Sequence, residues 1–228
     1  MNLKQNNSYL KVFLTNVNAY ASGQLQGEWL SLPTDSETLQ SVFREIGLAD
    51  GGEYFITDYE CSAFPALKAC LGEYENLNEL NYLAAKLQEV AKEGNLEVFS
   101  AALELGKDTG TVAELINLTE NMDCYTLLPK VCDEESLGRY AVENGAYDLA
   151  AMGDLAQYID YEALGRDIRI NDGGQFTGLG YIVRISSEIS MSYESIEDIP
   201  QEYLIAPGAT EAVAETMAEN MATGMTMG

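Results

Sequence analysis

No histidine occurs anywhere in these 228 residues. Its absence excludes a Ser-His-Asp triad, a Cys-His pair, an imidazole metal ligand and a side chain that titrates near neutrality. Basic residues are scarce as well: 12 Lys and Arg stand against 37 Asp and Glu, a net charge of −25. Direct nucleic-acid binding is therefore disfavoured, because phosphate contacts need clustered cations. The four cysteines, Cys61, Cys70, Cys124 and Cys132, form no C-x-x-C pair, which argues against zinc and redox sites. They read as reduced, mostly buried thiols. No run of 18 apolar residues is present, and Met1-Asn-Leu-Lys-Gln-Asn-Asn lacks a signal-peptide core. No membrane partner and a cytoplasmic location are the expectation. What the chain does have is 46% hydrophobic residues, with 14 Tyr, six Phe and one Trp. Disordered acidic chains are poor in these, so a folded core is expected.

Searches for chemistry end quickly. There is no G-x-x-x-x-G-K-[ST], and Gly173-Gly174…Gly178-x-Gly180 has the wrong order for a dinucleotide loop. Asp167-x-Arg169-x-Asn171-Asp172-Gly173 departs from a calcium loop, with Arg at its third position and Gly178 at its twelfth. Carboxylate pairs such as Asp160/Glu162 could serve a glycosidase, but 37 acids supply such pairs by chance. No catalytic residue, cofactor or metal site is expected, and the protein is read as a non-enzyme.

The patterning indicates an α+β fold in successive units. Tyr9 to Thr15 alternates like a strand, with Leu10, Val12 and Leu14 on one face. Glu28-Trp29-Leu30 and Glu53 to Asp58 read as further strands. Thr34 and Glu37 fit a capping box ahead of Leu39, Val42, Phe43 and Ile46. Leu77, Leu80, Leu83, Leu87 and Val90 repeat at helical spacing, and Gly94-Asn95 and Gly106 bound a second helix. Thr111 and Glu114 form another capping box. Beyond Glu120, a strand is expected over Met122 to Leu128 and a helix from Asp133. Another helix is expected over Leu155 to Leu164, with Leu155, Tyr158 and Ile159 inward, then a hairpin through Gln175 and Tyr181. A peripheral helix is expected at Glu211 to Met221. The boundaries drawn are 1–73 (α+β), 74–119 (helical), 120–187 (acidic, α+β) and 188–228 (a partly flexible extension).

Charge is uneven. Residues 120–206 hold 17 acids and 5 bases, so they carry −12 of the −25. Duplex DNA carries one charge per ~1.7 Å, so 25 charges match roughly 42 Å of axis. Carboxylates recur at ~5.4 Å along a helix face and ~6.7 Å along a strand face, both near the spacing of phosphates. A folded chain could present such an array to a basic DNA groove. The bland reading is a solvated face that aids solubility.

Several motifs bear on that choice. Asn18-x-Tyr20-x-x-Gly23-x-Leu25-x-Gly27-x-Trp29, followed by Pro33, resembles the amino-terminal signature of the ArdA antirestriction proteins. Tyr54 to Glu60 looks like that family's strand and acidic turn, and Leu77 to Asn81 like the opening of its middle domain. Leu137-Gly138-Arg139-Tyr140 with Glu143, and Tyr158 to Asp167, are similar to its carboxy-terminal domain. The resemblance spans about residues 9–186. It implies an elongated, curved rod of three small domains, paired into a homodimer through the third. It also implies DNA mimicry that occupies the DNA-binding groove of type I restriction–modification enzymes, blocking cleavage and often methylation, in the cytoplasm of a bacterium carrying a mobile element. The alternative is an acidic inhibitor or adaptor of another basic protein.

The expected partner-binding residues are Asp133, Glu134, Glu135, Glu143, Asp148, Asp154, Asp160, Glu162 and Asp167 in the third unit. Glu28, Asp50, Glu53, Asp58 and Glu60 extend the array into the first, and Glu73, Glu75 and Glu79 bridge them. Tyr20, Leu25 and Trp29 are read as core and loop anchors. Arg139, Arg166 and Arg169 are expected to order neighbouring carboxylates through bidentate pairs.

Overall fold

The computed structural model describes residues 8–49 and 51–206. Asp50 and the helix expected at Glu211 to Met221 lie outside the described residues. Strand β1 (Leu10–Asn16) is followed by a short helix α1 (Val17–Ala21), strand β2 (Gly27–Leu32), helix α2 (Ser36–Glu45) and strand β3 (Tyr54–Glu60). The strands form an antiparallel sheet in the order β2-β1-β3. β1 is central, and its alternation sends Leu10, Val12 and Leu14 into the core. Helix α2 starts one residue later than the capping box indicated. Asp35, not Thr34, accepts the Thr38 N–H at 2.8 Å, because both backbone groups of Thr34 are bonded to the Asn81 side chain.

Helices α3 (Leu77–Lys92), α4 (Leu96–Leu105) and α5 (Val112–Glu120) follow where the periodicity placed them. Asn76 caps α3 through the Asn78 and Glu79 amides. The Thr111/Glu114 box opens α5. Gly106 ends α4 at φ +69°, a left-handed position that glycine occupies without a Cβ penalty. One hydrophobic core runs from Leu10 through Phe64, Leu80 and Phe99 to Ile205, continuous across the expected 73/74 boundary.

The remainder is strand β4 (Tyr125–Leu128), helices α6 (Glu134–Glu143), α7 (Leu149–Met152) and α8 (Tyr161–Asp172), and strands β5 (Gln175–Thr177) and β6 (Gly180–Arg184). These strands form a second antiparallel sheet in the order β4-β6-β5. Val131, Leu137, Tyr181 and Val183 make a separate small core there. Helices α6 and α8 cross at two facing glycines. A Cβ on Gly165 would overlap the Glu134 carbonyl oxygen, and one on Gly138 would overlap that of Tyr161.

Three further expectations are corrected. Met122 to Cys124 form a 3-10 turn, so the strand starts only at Tyr125. Leu155 and Tyr158 face outward, at 67% and 77% exposure. A 3-10 stretch over Gly153–Tyr158 precedes α8, and Gly153 at φ +56° separates it from α7. The expected inward-facing helix therefore begins only at Tyr161. Tyr20, Leu25 and Trp29 are surface residues. Trp29 and Tyr20 instead make edge contacts to Phe13 and Phe55, and Leu25 projects from a turn. Residues 188–206 are the described part of the expected extension. Tyr193, Ile199 and Ile205 are buried in the main core, tying that segment to the helices.

The glycine crossing yields a test. Gly165→Ala should destabilise the protein by about 1–3 kcal/mol or more in denaturant unfolding, since the obstruction is backbone that cannot rotate away. Gly178→Ala, with nothing within 4 Å of its added methyl, should leave the midpoint unchanged.

Candidate acidic interaction surface

Of the expected partner residues, all but Asp50 fall within the described part, and none is buried. Glu53, Glu60, Glu73, Asp133, Glu135, Glu143, Asp148, Asp154, Asp160, Glu162 and Asp167 are exposed. Glu28, Asp58, Glu75, Glu79 and Glu134 are half-buried.

Three physical devices hold these carboxylates. Some are helix caps. Asp133 accepts the Ser136 N–H at 2.8 Å, Asp148 that of Ala151 at 3.1 Å, and Asp160 that of Ala163 at 3.0 Å. A cap fixes an anion where the helix end is partly positive, and the neutral amide leaves the charge intact. The Ser136 amide holds the Asp133 carboxyl below the usual carboxylate range. Other carboxylates are ion-paired. Arg139 binds Glu135 at 2.6 Å, Arg166 binds Glu162 at 2.9 Å, and Arg169 lies 3.3 Å from Glu134. The three arginines thus order acids of α6 and α8, but each through a single carboxylate oxygen and not the bidentate pairing expected. Arg139 also sits over the Tyr161 ring at 4.4 Å, joining the two helices a second time. In the first unit, Lys11 pairs with Glu60 at 2.8 Å, and Lys68 pairs with Asp58. The Lys68 hydrogen bond, with the Tyr59 amide, holds Asp58 low as well.

The third device is attachment to loops and tertiary neighbours. Glu75 accepts the Gly72 N–H at 2.9 Å, and Glu79 accepts the Tyr193 hydroxyl at 2.8 Å. Glu28 bonds the Trp29 amide beside it. Glu53, Glu73, Glu143, Asp154 and Asp167 make none of the described side-chain bonds or ion pairs. Of these, only Glu143 lies near enough to a described cation, Arg139, to interact with it through space.

The structure groups some of these residues and separates others. Glu134, Glu135, Glu143, Glu162 and Asp167 share the α6–α8 pair, held together at the glycine crossing. Glu28 lies on edge strand β2, while Asp58 and Glu60 lie on the opposite edge β3, with β1 between. Sequence reasoning missed Glu188, Glu194, Glu197, Asp198 and Glu202, five exposed acids in a stretch with no base. Their segment has no periodicity. The signal that could have placed it is on its receptor: Asn78, Asn81 and Asn117 fall on buried helix faces, and the buried Asn121 caps α5.

Among the described residues, no group of three or more Cys, Asp or Glu is placed to hold a metal ion. The cysteines are free, and burial pushes the Cys61 thiol up to about 11, leaving it protonated at neutral pH. No described helix is long and apolar enough to cross a membrane.

A family model described as "Antirestriction protein (ArdA)" matches residues 12–183. A comparison with curated proteins finds no match.

The caps make a pH prediction. Asp35, Asp58, Asp133 and Asp198 are all held below their ordinary values by hydrogen bonds. Their contribution to stability is complete above the unfolded-state value of ~4 and is lost as pH falls through the lower folded-state values. Thermal midpoints should therefore drop steadily in acid. Asp133→Asn keeps the acceptor without the charge and should flatten part of that dependence, whereas Asp133→Ala should lower the midpoint at neutral pH too.

Proposed function

This chain belongs to the ArdA antirestriction protein family, and from that premise we propose that it acts as a non-enzymatic mimic of DNA. It would occupy the DNA-binding groove of a type I restriction–modification enzyme in the bacterial cytoplasm and block cleavage, with methylation a second step open to the same block. Antirestriction is the function the family carries. The mimicry and the groove are our reading. The observation that carries it is the manner in which the candidate acids are held. Caps and loop amides fix anions in place without cancelling them, so the described candidate acids keep their charge, and none of them is buried. A groove built to neutralise phosphates would gain the same electrostatic attraction from such a surface as from a duplex.

A homodimer belongs to the same proposal. Tyr147, Leu149, Met152, Leu155 and Tyr158 expose a run of apolar side chains on one segment before α8. Exposed apolar surface of this kind marks interaction sites. A second copy seated there would lengthen the acidic array. Leu155→Asp combined with Tyr158→Asp should convert a dimeric species to a monomer in sedimentation, with the fold retained.

Groove competition predicts a salt signature. In a restriction assay, protection of DNA by this protein should weaken steeply as ionic strength rises. Single Asp→Asn or Glu→Gln changes should cost little, since exposed charges contribute ~0.2–1 kcal/mol each. Neutralising Glu143, Asp154 and Asp167 together should weaken inhibition about tenfold. Neutralising the ion-paired Glu134, Glu135 and Glu162 should cost at least as much, because it also turns three released arginines toward a basic groove. A single substitution that abolished inhibition in a folded protein would overturn the distributed mechanism.

A further inference from the structure

Residues 188–206 lie beyond the matched span of the family, yet they are attached with unusual regularity. The contacts come from four asparagines that are at most 3% exposed. Asn117 reads both backbone groups of Tyr193: its Oδ1 accepts the N–H at 3.0 Å and its Nδ2 donates to the carbonyl at 2.8 Å. Asn121 does the same to Ser190, at 2.8 and 2.9 Å. Asn78 accepts from the amides of Ile205 and Ala206, both at 2.8 Å, and donates to the Ala206 carbonyl at 3.1 Å. Asn81 donates to the Tyr203 carbonyl at 3.0 Å, while its other bonds hold Thr34. Buried side-chain amides on a helical face are costly unless both ends are satisfied. Here the main chain of residues 188–206 supplies their partners.

Side chains add anchors between these points. Tyr193, Ile199 and Ile205 are buried, and Tyr82 packs against Tyr193 and Tyr203 at ring distances of 5.9 and 5.5 Å. The Tyr193 hydroxyl donates to Glu79. This is the division of labour of a peptide groove: main-chain bonds supply affinity and a few apolar pockets supply register. The side chains between the anchors are free to point outward, and the charged ones, Glu188, Glu194, Glu197, Asp198 and Glu202, are all exposed.

We infer that the face formed by α3 and α5 is a backbone-reading groove for an extended polypeptide, with residues 188–206 of the same chain as its resident ligand. The docking contacts are neutral amides and apolar groups apart from the hydroxyls of Tyr193 and Ser192, which donate to Glu79 and Glu120, so an acidic segment is seated on an acidic body without charge pairing. The groove is a second binding site, and its ligand is a peptide. It goes beyond the antirestriction reading and does not rest on it.

The test uses the full chain with a specific protease site inserted between Ser187 and Glu188, in an exposed loop. After cleavage, the 188–228 piece should co-elute with the body. A labelled synthetic peptide of residues 188–206 should exchange into its place. Retention should not weaken as salt rises from about 50 mM to 1 M, where surface ion pairs are screened. A peptide N-methylated at the Tyr193 amide, which removes the donor to Asn117 and leaves the body untouched, should bind at least tenfold more weakly. Asn117→Ala with Asn121→Ala in the body should show the same loss. The inference is overturned if the released piece falls away from a folded body, if the body unfolds once it is released, if the N-methylated peptide binds as well as its parent, or if binding fades with salt. None of these readouts involves a restriction enzyme, so the outcome is separate from that of the inhibition assay.

Discussion

Like-charge repulsion is the constraint under which this molecule folds. With 37 carboxylates and 12 basic groups, ion pairing cannot answer most of the acids, and a compact chain of that charge repels itself. The structure meets this with backbone amides. Asp35, Asp133, Asp148, Asp160 and Asp198 each accept from backbone N–H groups. The helix gains a cap and the carboxylate gains a fixed position. Because the donor is neutral, the field outside is preserved. The few cations are used differently. Lys86 is shared between Glu89 and Glu120 at 3.1 and 2.9 Å. Burial alone would depress its ammonium, but the two carboxylates outweigh that and raise it.

The same constraint explains how distant parts of the chain are joined. Attaching an acidic segment to acidic helices through salt bridges would need bases that the sequence does not have. Asparagine solves this with one uncharged donor and one uncharged acceptor per side chain. Asn81 is the clearest instance, since it bonds Thr34 near the first sheet and Tyr203 of the terminal segment from one position on α3. Repulsion is also tolerable where helices meet closely without charge. At the α6–α8 crossing two glycines let backbones touch, so Glu134, Glu135 and Glu162 ride on a rigid pair. Their arginine partners trim local charge there, and Asp167 on the same helix pair makes no described bond to offset its own.

Much of the local fold was legible. Leu77 to Val90 is helical because its apolar residues recur every three or four positions, and Thr111 with Glu114 marks a helix start by satisfying amides reciprocally. The alternation of Leu10, Val12 and Leu14 identified a strand with one buried face. Errors came where tertiary partners compete with local preference. Thr34 has good capping chemistry, yet Asn81 claims its backbone groups first. Leu155 and Tyr158 read as an inward face because periodicity cannot say whether anything stands opposite. Trp29 and Tyr20 read as core because aromatics usually are, yet each packs one edge and exposes the other.

Composition alone determined the sign and size of the net charge and the exclusion of histidine chemistry, since these depend on which residues are present and not on where they lie. Motif order carried the family. Only the tertiary structure decided which acids are capped, which are paired and which stand free, because hydrogen bonds at about 3 Å join residues far apart in the chain. It also decided the fate of residues 188–206. No local pattern marks them, and their position is written in four asparagines as many as 128 residues away.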